Sequence, residues 1–189
     1  MLEELVRKNR SYRRFHEDES LEREVLLELV SLARLTPSAA NKQALRYAVS
    51  ADKERNERIF KELHWAAYLT DWKGPVQGER PAGYIILAQR ASEKSASPYD
   101  AGIAAQTILL GAVEKGLGGC ILASVNRENI KAALDLSQEV EILLVIALGK
   151  PKERVVIEQM DSGSNAIKYY RDDWQVHHVP KRRLEDVLL

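Results

Sequence analysis

The fold is decided by one stretch, SPYDAGIAAQTILLGAVEKGLG at residues 97–118, which predicts a long helix. The stretch is rich in Ala and Gly and is apolar on nearly every side. A helix of this kind is expected to be buried, and its small residues allow another helix to pack closely against it. Glycine ends the stretch, as is common at helix C-termini.

Four shorter stretches around this helix predict strands. VEILLVIALG at 140–149 is a continuous apolar run, which is typical of a central strand. LRYAVSA at 45–51, YIILAQR at 84–90 and CILAS at 120–124 are the other candidates. Because strands do not alternate regularly with helices, we predict an α+β fold rather than a doubly wound α/β sheet.

The remaining helices are predicted from capping residues and periodicity. Ser20 is placed to N-cap a second helix, which Pro37 ends because proline pushes the residue before it out of α conformation. Further helices are expected at 2–8, 53–70 and 127–134. The predicted apolar stripe of the second helix comprises Leu21, Val25, Leu29 and Leu32.

The last forty residues, from 150 to 189, look polar and irregular, with WQVHHV at 174–179 as a candidate extended stretch. The tail contains Tyr169, Tyr170 and Trp174, which is too aromatic for a loose end. We expect it either to pack across its own domain or to embrace a partner subunit. No boundary interrupts the sequence, so 1–189 is predicted to form a single domain.

Composition excludes several function classes. The chain has 28 basic and 28 acidic side chains, so no global field attracts nucleic acid or a membrane surface. No apolar run approaches the roughly 20 residues of a membrane helix, and the first residues lack a secretory apolar core. The single cysteine, Cys120, suits a reducing compartment and is expected to be a small buried hydrophobe. We therefore expect a cytoplasmic protein, and the histidine and cysteine spacing predicts no metal site.

Positive charge gathers near the two ends of the chain. NRSYRRF at 9–15 packs Arg10, Arg13 and Arg14 around a serine, and VPKRR at 179–183 adds a second basic group. Arginine forks and a hydroxyl match a phosphate in charge and geometry. The alternative for each basic group is a solvated, exposed patch. Between them, PSAAN at 37–41 offers a hydroxyl, a carboxamide and backbone N–H groups for a polar ligand.

The order of these segments resembles the nitroreductase family of flavin enzymes along essentially the whole chain. A motif needs its structural context, and here several occur in the right order. The matching segments are Arg10-Ser11-x-Arg13-x-Phe15, Pro37-Ser38-x-x-Asn41-x-Gln43, the long helix and glycine exit from Asp100 to Cys120, IALGKP at 146–151 and VPKRRLEDVL at 179–188.

The resemblance implies an α+β homodimer with a mainly antiparallel central sheet, a C-terminal tail exchanged between subunits, and FMN at the subunit interface. It assigns Arg10 to the phosphate end of the flavin and Arg13 to the pyrimidine edge of the ring, with Ser11 between them. Cofactor contacts are further implied for Lys181 and Arg183 at the phosphate, for Pro37, Ser38, Ala39 and Asn41 from the other subunit, and for the backbone of Ile121, Leu122 and Ala123 at the ring.

The implied chemistry is that of the cofactor. NADH or NADPH would deliver a hydride to the flavin, leave, and be replaced by a small-molecule electron acceptor such as a nitroaromatic or a quinone, in a ping-pong cycle. No side-chain acid or base is obligatory, so no catalytic residue is assigned. The sequence departs from many relatives at Asn9, where they carry arginine, and at Ala44-Leu45, where they carry Pro-Trp.

Other functions stay open at this point. A flavin-binding carrier or sensor without turnover is one, a nucleotide-binding or RNA-binding module is a second, and a specialised reaction within the family is a third. The segment at 64–80 contains Trp65, Tyr68 and Trp72, which predict either a stacking surface for a flat substrate or ordinary packing.

Overall fold

A four-stranded antiparallel sheet forms the centre of the computed structural model, which describes residues 1–93 and 96–189. The strand order is β1-β2-β4-β3, and every neighbouring pair is antiparallel. The predicted α+β class is therefore confirmed. The strands are β1 (Arg46–Ser50), β2 (Gly83–Arg90), β3 (Gly118–Leu122) and β4 (Val140–Gly149).

Helices cover both faces of this sheet. They are α1 (Leu2–Lys8), α2 (Arg23–Ala33), α3 (Lys53–Phe60), α4 (Pro98–Glu114) and α5 (Arg127–Ala133). Along β2, Ile85 and Leu87 face the core under α2 and α4, while Tyr84 and Ile86 face the core under α3 and α5. Because both faces are buried, the central strands are apolar without alternation. None of the helices among the described residues is long and apolar enough to cross a membrane.

Helix α4 begins and ends close to where the sequence predicts. Ser97 and Asp100 form a capping box at its start, and Gly116 follows its end with a φ of 73°. The expectation that α4 is buried on nearly every side is wrong within a single subunit. Tyr99 is 82% exposed and Ile103 is 42% exposed, so one face of the helix is uncovered by the residues that the structure describes.

Two other helices differ from their predictions at an end. The helix expected at 53–70 stops at Phe60, because the chain turns there to place Leu63 and Trp65 in the core under α5. The second helix begins at Arg23 with Glu22 as its N-cap, so Ser20 does not cap it. Of the predicted stripe, Leu21 and Leu29 are buried, whereas Leu32 is 40% exposed; within α2, Leu26, Leu29 and Ala33 form the buried set.

The tail is more ordered than its polar sequence predicts. It forms a second sheet, in the order β5-β7-β6, with β5 (Val155–Gln159) parallel to β7 (His177–Lys181) and β6 (Tyr170–Arg171) antiparallel to it. Polar pairing holds this sheet, since the His178 ring contacts carboxylates of Glu158 and Asp172 and stacks on Tyr170. Residues 155–181 thus pack on their own domain, and the exchange of a tail between subunits stays a prediction.

Close packing at the start of β3 makes a strong prediction about stability. A Cβ atom at Gly119 would lie 2.6 Å from the carbonyl oxygen of Ala147 and 2.7 Å from Cδ2 of Leu109. Because a backbone oxygen cannot move aside cheaply, Gly119→Ala is expected to lower the free energy of unfolding by about 2 kcal/mol. Urea denaturation measures this, with Glu114→Ala on the exposed end of α4 as the control. A Gly119→Ala protein as stable as the control would contradict the prediction.

Candidate functional site

The N-terminal arginine segment lies directly beside β3. Ser11 forms a parallel bridge with Gly119, and the backbone N–H of Tyr12 donates to the carbonyl oxygen of Gly119 over 3.0 Å. Phe15 is fully buried and pairs with Pro151 at the end of β4. The backbone of the segment is therefore fixed against the central sheet at both ends, with its arginines at the start of β3.

Arg10 retains an unused hydrogen-bond donor. Its Nη2 donates to the carbonyl oxygen of Val6 over 2.7 Å, at the end of α1. Its Nε is buried and has no partner among the residues that the structure describes. Burial lowers the pKa of Arg10, because the charged form loses solvation without gaining a carboxylate. Such a group favours an incoming anion, and the exposed Ser11 is adjacent to it.

Arg13 is buried and surrounded by the tail. Its guanidinium lies over the ring of Tyr169, 4.9 Å from the ring centroid. Its Nη1 lies 3.3 Å from the carbonyl oxygen of Ser11 and 3.4 Å from Nε2 of His177. These side-chain contacts are with neutral groups, so the positive charge of Arg13 is not neutralised by them.

Glu153 connects the arginine segment to the tail. Its side chain is 1% exposed and accepts hydrogen bonds from the backbone N–H of Arg13, at 2.5 Å, and of Arg14, at 3.2 Å. Its second oxygen accepts from Nη2 of Arg171 at 2.9 Å. One carboxylate thus binds the backbone of the arginine segment and the guanidinium of Arg171.

Arg13, Glu153, Arg171 and His177 form one cluster, and the local electrostatic potential around it is positive. Burial, together with the charges of Arg13 and Arg171, lowers the pKa of His177 to about 4. His177 is therefore neutral at physiological pH. Arg171 is paired with Glu153 and Arg14 with Glu79, whereas the guanidinium of Arg13 contacts neutral groups, so the surroundings have an excess positive charge in a partly desolvated place, which suits an anionic group.

Cys120 lies on β3 close to the same cluster and is 3% exposed, as the sequence predicts. Burial raises the pKa of its thiol, while the positive charge of Arg13 opposes the shift. The thiol is thus held in its unreactive protonated form.

The second predicted set of residues lies in the loop that follows α2. The backbone N–H of Ala39 donates to Asp100 over 2.9 Å, and Oγ of Ser38 accepts from the backbone N–H of Gln43 over 3.1 Å. Asn41 has a φ of 53° and is exposed, and its neighbours Ala40 and Gln43 also have positive φ values. Strained backbone of this kind is concentrated at functional sites. Pro37 and Ser38 line a cavity of about 340 Å³ beside this loop.

The arginine segment at 9–15 and the loop at 37–41 lie at opposite ends of α4 within one chain. Asp100, which holds the loop at 37–41, is in the first turn of the helix, whereas Gly119, beside Ser11, follows its last turn. A helix of 17 residues is about 25 Å long. A single chain therefore does not bring Ser38 and Arg13 to one ligand.

The other predicted residues are placed as follows. On β3, Ile121 is 39% exposed and Leu122 is buried, with Ala123 exposed beyond the strand. Lys181 is exposed at the end of β7, and Nε of Arg183 donates to the carbonyl oxygen of Met160 over 3.2 Å. The side chains of Lys181, Arg183, Arg10 and Arg13 are all donors, so only a bound acceptor would join them through hydrogen bonds.

Sequence reasoning missed the residues that surround Arg13, namely Glu153, Tyr169, Arg171 and His177. The aromatic segment at 64–80 shares this location. The ring of Tyr68 lies 5.0 Å from that of Tyr169, and Arg171 lies over Trp72 at 4.3 Å. The aromatic content of the tail was the only available signal, and it did not indicate which residues meet.

Comparison with known proteins identifies the family. Residues 6–150 match the model of the nitroreductase family, which is well over half of the chain. The chain therefore belongs to the nitroreductase family, and the resemblance predicted from its sequence is confirmed.

Individual relatives agree with this assignment. An Archaeoglobus fulgidus protein, provisionally named NADH dehydrogenase/NAD(P)H nitroreductase, is 24% identical over 170 residues, covering 85% of this chain and 92% of the relative. A nitroreductase family protein from Clostridium novyi has a TM-score of 0.65 at 22% identity, covering 80% of this chain and 87% of its own. An FMN-dependent nitroreductase from Clostridium difficile has a TM-score of 0.63 at 23% identity, covering 79% and 87%. The two structural likenesses show a shared fold.

Proposed function

We propose that this chain is an FMN-dependent enzyme that passes a hydride from NADH or NADPH through bound FMN to a nitroaromatic, a quinone or a similar acceptor in a ping-pong cycle. Family membership supports the broader class, an NAD(P)H-dependent oxidoreductase. The observation that carries the proposal is the excess positive charge around Arg13, which suits a cofactor that becomes more negative when it is reduced.

The residues present fit FMN at both of its charged regions. Arg10 has a buried, unpartnered Nε for a phosphate oxygen, and Ser11 is exposed beside it. Arg13 would hold the pyrimidine edge, since its charge is fixed in place before any ligand binds. Lys181 and Arg183 would complete the phosphate site. When bound, FMN supplies the hydride-accepting and hydride-donating chemistry.

The protein contributes electrostatics and positioning. Arg13 is oriented by its own backbone contact with Glu153 and by the ring of Tyr169, so it needs no rearrangement to stabilise negative charge. Tyr68 and Tyr169 form an aromatic wall beside it, with their ring centroids 5.0 Å apart. Nitroaromatics and quinones are flat, and such a wall suits them.

The separation of the two site halves supports a homodimer. The loop at 37–41 and the arginine segment are held at opposite ends of α4, so a second subunit is needed to bring both to one FMN. The unpartnered face of α4, which carries Tyr99 and Ile103, is a suitable contact surface for that subunit. Exposed apolar residues at the end of the tail, Leu184, Val187 and Leu188, are consistent with tail exchange.

Placing a charge on this face of α4 should separate the subunits. Ile103→Glu would put two like charges into an apolar contact, and we expect the dimer dissociation constant to rise about 100-fold, with loss of FMN binding. Sedimentation measures the mass and FMN fluorescence measures binding. Val76→Glu, on an exposed loop, is the control. A dimeric Ile103→Glu protein that still binds FMN would contradict this arrangement.

One observation favours a second candidate, a flavin-binding carrier or sensor without turnover. The chain's own Tyr169 and His177 lie on Arg13, which limits access to it. The deciding experiment is to purify the protein, add FMN, and follow its visible absorption on anaerobic addition of NADH or NADPH and then of a quinone. Bleaching followed by recovery supports the enzyme. Bound flavin that is not reduced supports the carrier, and failure to bind FMN contradicts both.

A further inference from the structure

A second cavity, of about 450 Å³, lies apart from all residues assigned to FMN. It is formed between the turn that precedes α2, one side of α3 and the loop that leads into β2. Its volume is in the range of small-molecule sites. The lining residues that matter here are Glu17, Asn56, Phe60, Arg80 and Tyr84.

Two buried polar atoms in this cavity have no hydrogen-bond partner in the part of the chain that the structure describes. They are the hydroxyl of Tyr84 and Nε of Arg80. Tyr84 is 0% exposed, and it lines the same cavity as Arg80. Buried polar groups are almost always paired, and leaving one unpaired costs free energy. A ligand in the cavity with acceptor atoms for these donors would remove that cost.

Two other polar side chains of the cavity, Glu17 and Asn56, are committed to hydrogen bonds that hold its walls. One oxygen of Glu17 accepts from the backbone N–H of Gly78 at 2.5 Å and from that of Arg80 at 3.3 Å, which holds the loop in place. The amide of Asn56 accepts from Ser50 at 2.7 Å and donates to Ala82 at 2.8 Å. The two unpaired donors therefore belong to a preformed site rather than to a loose surface.

The orientation of Arg80 is fixed by an aromatic ring. Its guanidinium lies over Phe60, 4.6 Å from the ring centroid, so it is held without a carboxylate. The walls of the cavity include Ala51, Phe60 and Pro81, which suit an apolar body. Lys53 adds a second cation to the lining, and Glu17, Asp18 and Glu57 add negative charges that oppose a doubly charged anion such as phosphate more strongly than a singly charged one.

We propose that this cavity binds a small organic monocarboxylate, whose carboxylate accepts hydrogen bonds from Arg80 and Tyr84 and whose apolar body contacts Phe60 and Pro81. The ligand class follows from the two unpaired donors, the apolar walls and the acidic residues of the lining. The site is separate from the FMN site, and its occupancy does not depend on the proposed redox function.

Calorimetric titration with benzoate tests the proposal. The full-length protein is used as purified and again after saturation with FMN. We expect benzoate to bind in both states with a dissociation constant below about 10 mM, which is ordinary for a ligand of its size. Benzyl alcohol, which lacks the charge, and inorganic phosphate should each bind at least about tenfold more weakly. Absence of benzoate binding up to this concentration, or competition between benzoate and FMN, would overturn the proposal.

Two variants assign the binding to this cavity. Tyr84→Phe keeps the ring and removes only an unpartnered hydroxyl, so it should fold, and we expect the benzoate dissociation constant to rise about fivefold. Arg80→Met keeps an apolar contact with Phe60 and should raise it about tenfold or more. Arg58→Met, on the exposed side of α3, is the control and should change nothing. Unchanged benzoate affinity in both cavity variants would show that benzoate binds elsewhere and would refute the assignment.

Discussion

Replacing Arg13 with Gln should slow reduction of the bound flavin by NADH about 100-fold to 1,000-fold, the usual effect of removing one preorganised electrostatic contact. The substitution removes the charge next to Tyr169 and His177 but leaves the backbone contact with Glu153 available. Anaerobic stopped-flow absorption measures the rate. The flavin reduction potential should fall as well, because the reduced cofactor loses a stabilising charge.

The adjacent arginine provides the control. Arg14 donates through Nε and Nη2 to Glu79, at 2.7 Å and 2.5 Å, so its charge, unlike that of Arg13, is already paired with a carboxylate. Arg14→Gln is expected to lower stability by about 2 kcal/mol, because it breaks a charged bidentate contact, while leaving the rate of flavin reduction unchanged. Equal loss of rate in both variants, or a normal rate in Arg13→Gln, would show that Arg13 has no special electrostatic role.

Replacing Glu153 with Gln should produce the largest loss of stability, about 3 kcal/mol. The substitution keeps the shape of the side chain but removes the charge of the buried carboxylate that pairs with Arg171 and accepts from the backbone N–H of Arg13. Removing one partner of a buried ion pair leaves an uncompensated buried charge, which is strongly destabilising. Urea denaturation followed by circular dichroism measures the change.

A second glutamate in the tail separates this effect from general damage to the tail. Glu158 contacts Tyr170 and His178 but is 38% exposed. Because exposed ion pairs contribute little, Glu158→Gln should cost less than about 1 kcal/mol. If the two variants lose the same stability, burial of Glu153 is not the cause.

The sequence predicted those parts of the fold that depend on local patterns of apolar residues. The continuous apolar run of β4 and the Ala-rich and Gly-rich stretch of α4 each determine their element without help from distant residues. The helix predicted at 53–70 ends at Phe60. The residues that follow pack beneath α5, and that tertiary contact outweighs their helical propensity. The tail sheet was missed since it is held by polar pairs such as that of His178 and Asp172, which have no period.

Of the residues around Arg13, the sequence predicted only those of the N-terminal arginine segment. Arg10, Ser11 and Arg13 are close together in sequence, and their charge and hydrogen-bonding groups already suggest an anion. Glu153 and His177 contact Arg13 across 140 and 164 residues, and no spacing rule relates residues so far apart. Contacts of this kind are visible only once the fold has brought the two ends of the chain together.

That long separation also orders events during synthesis of the protein. Chains emerge from the ribosome from the N-terminus, at about 5–20 residues per second, and closing a long loop is slow because of its entropy. The arginines near position 13 are made first, yet their carboxylate partner lies 140 residues later and Tyr169 and His177 later still. The last strand of the central sheet ends at Gly149, so all four strands are synthesised before the tail residues that surround Arg13 become available.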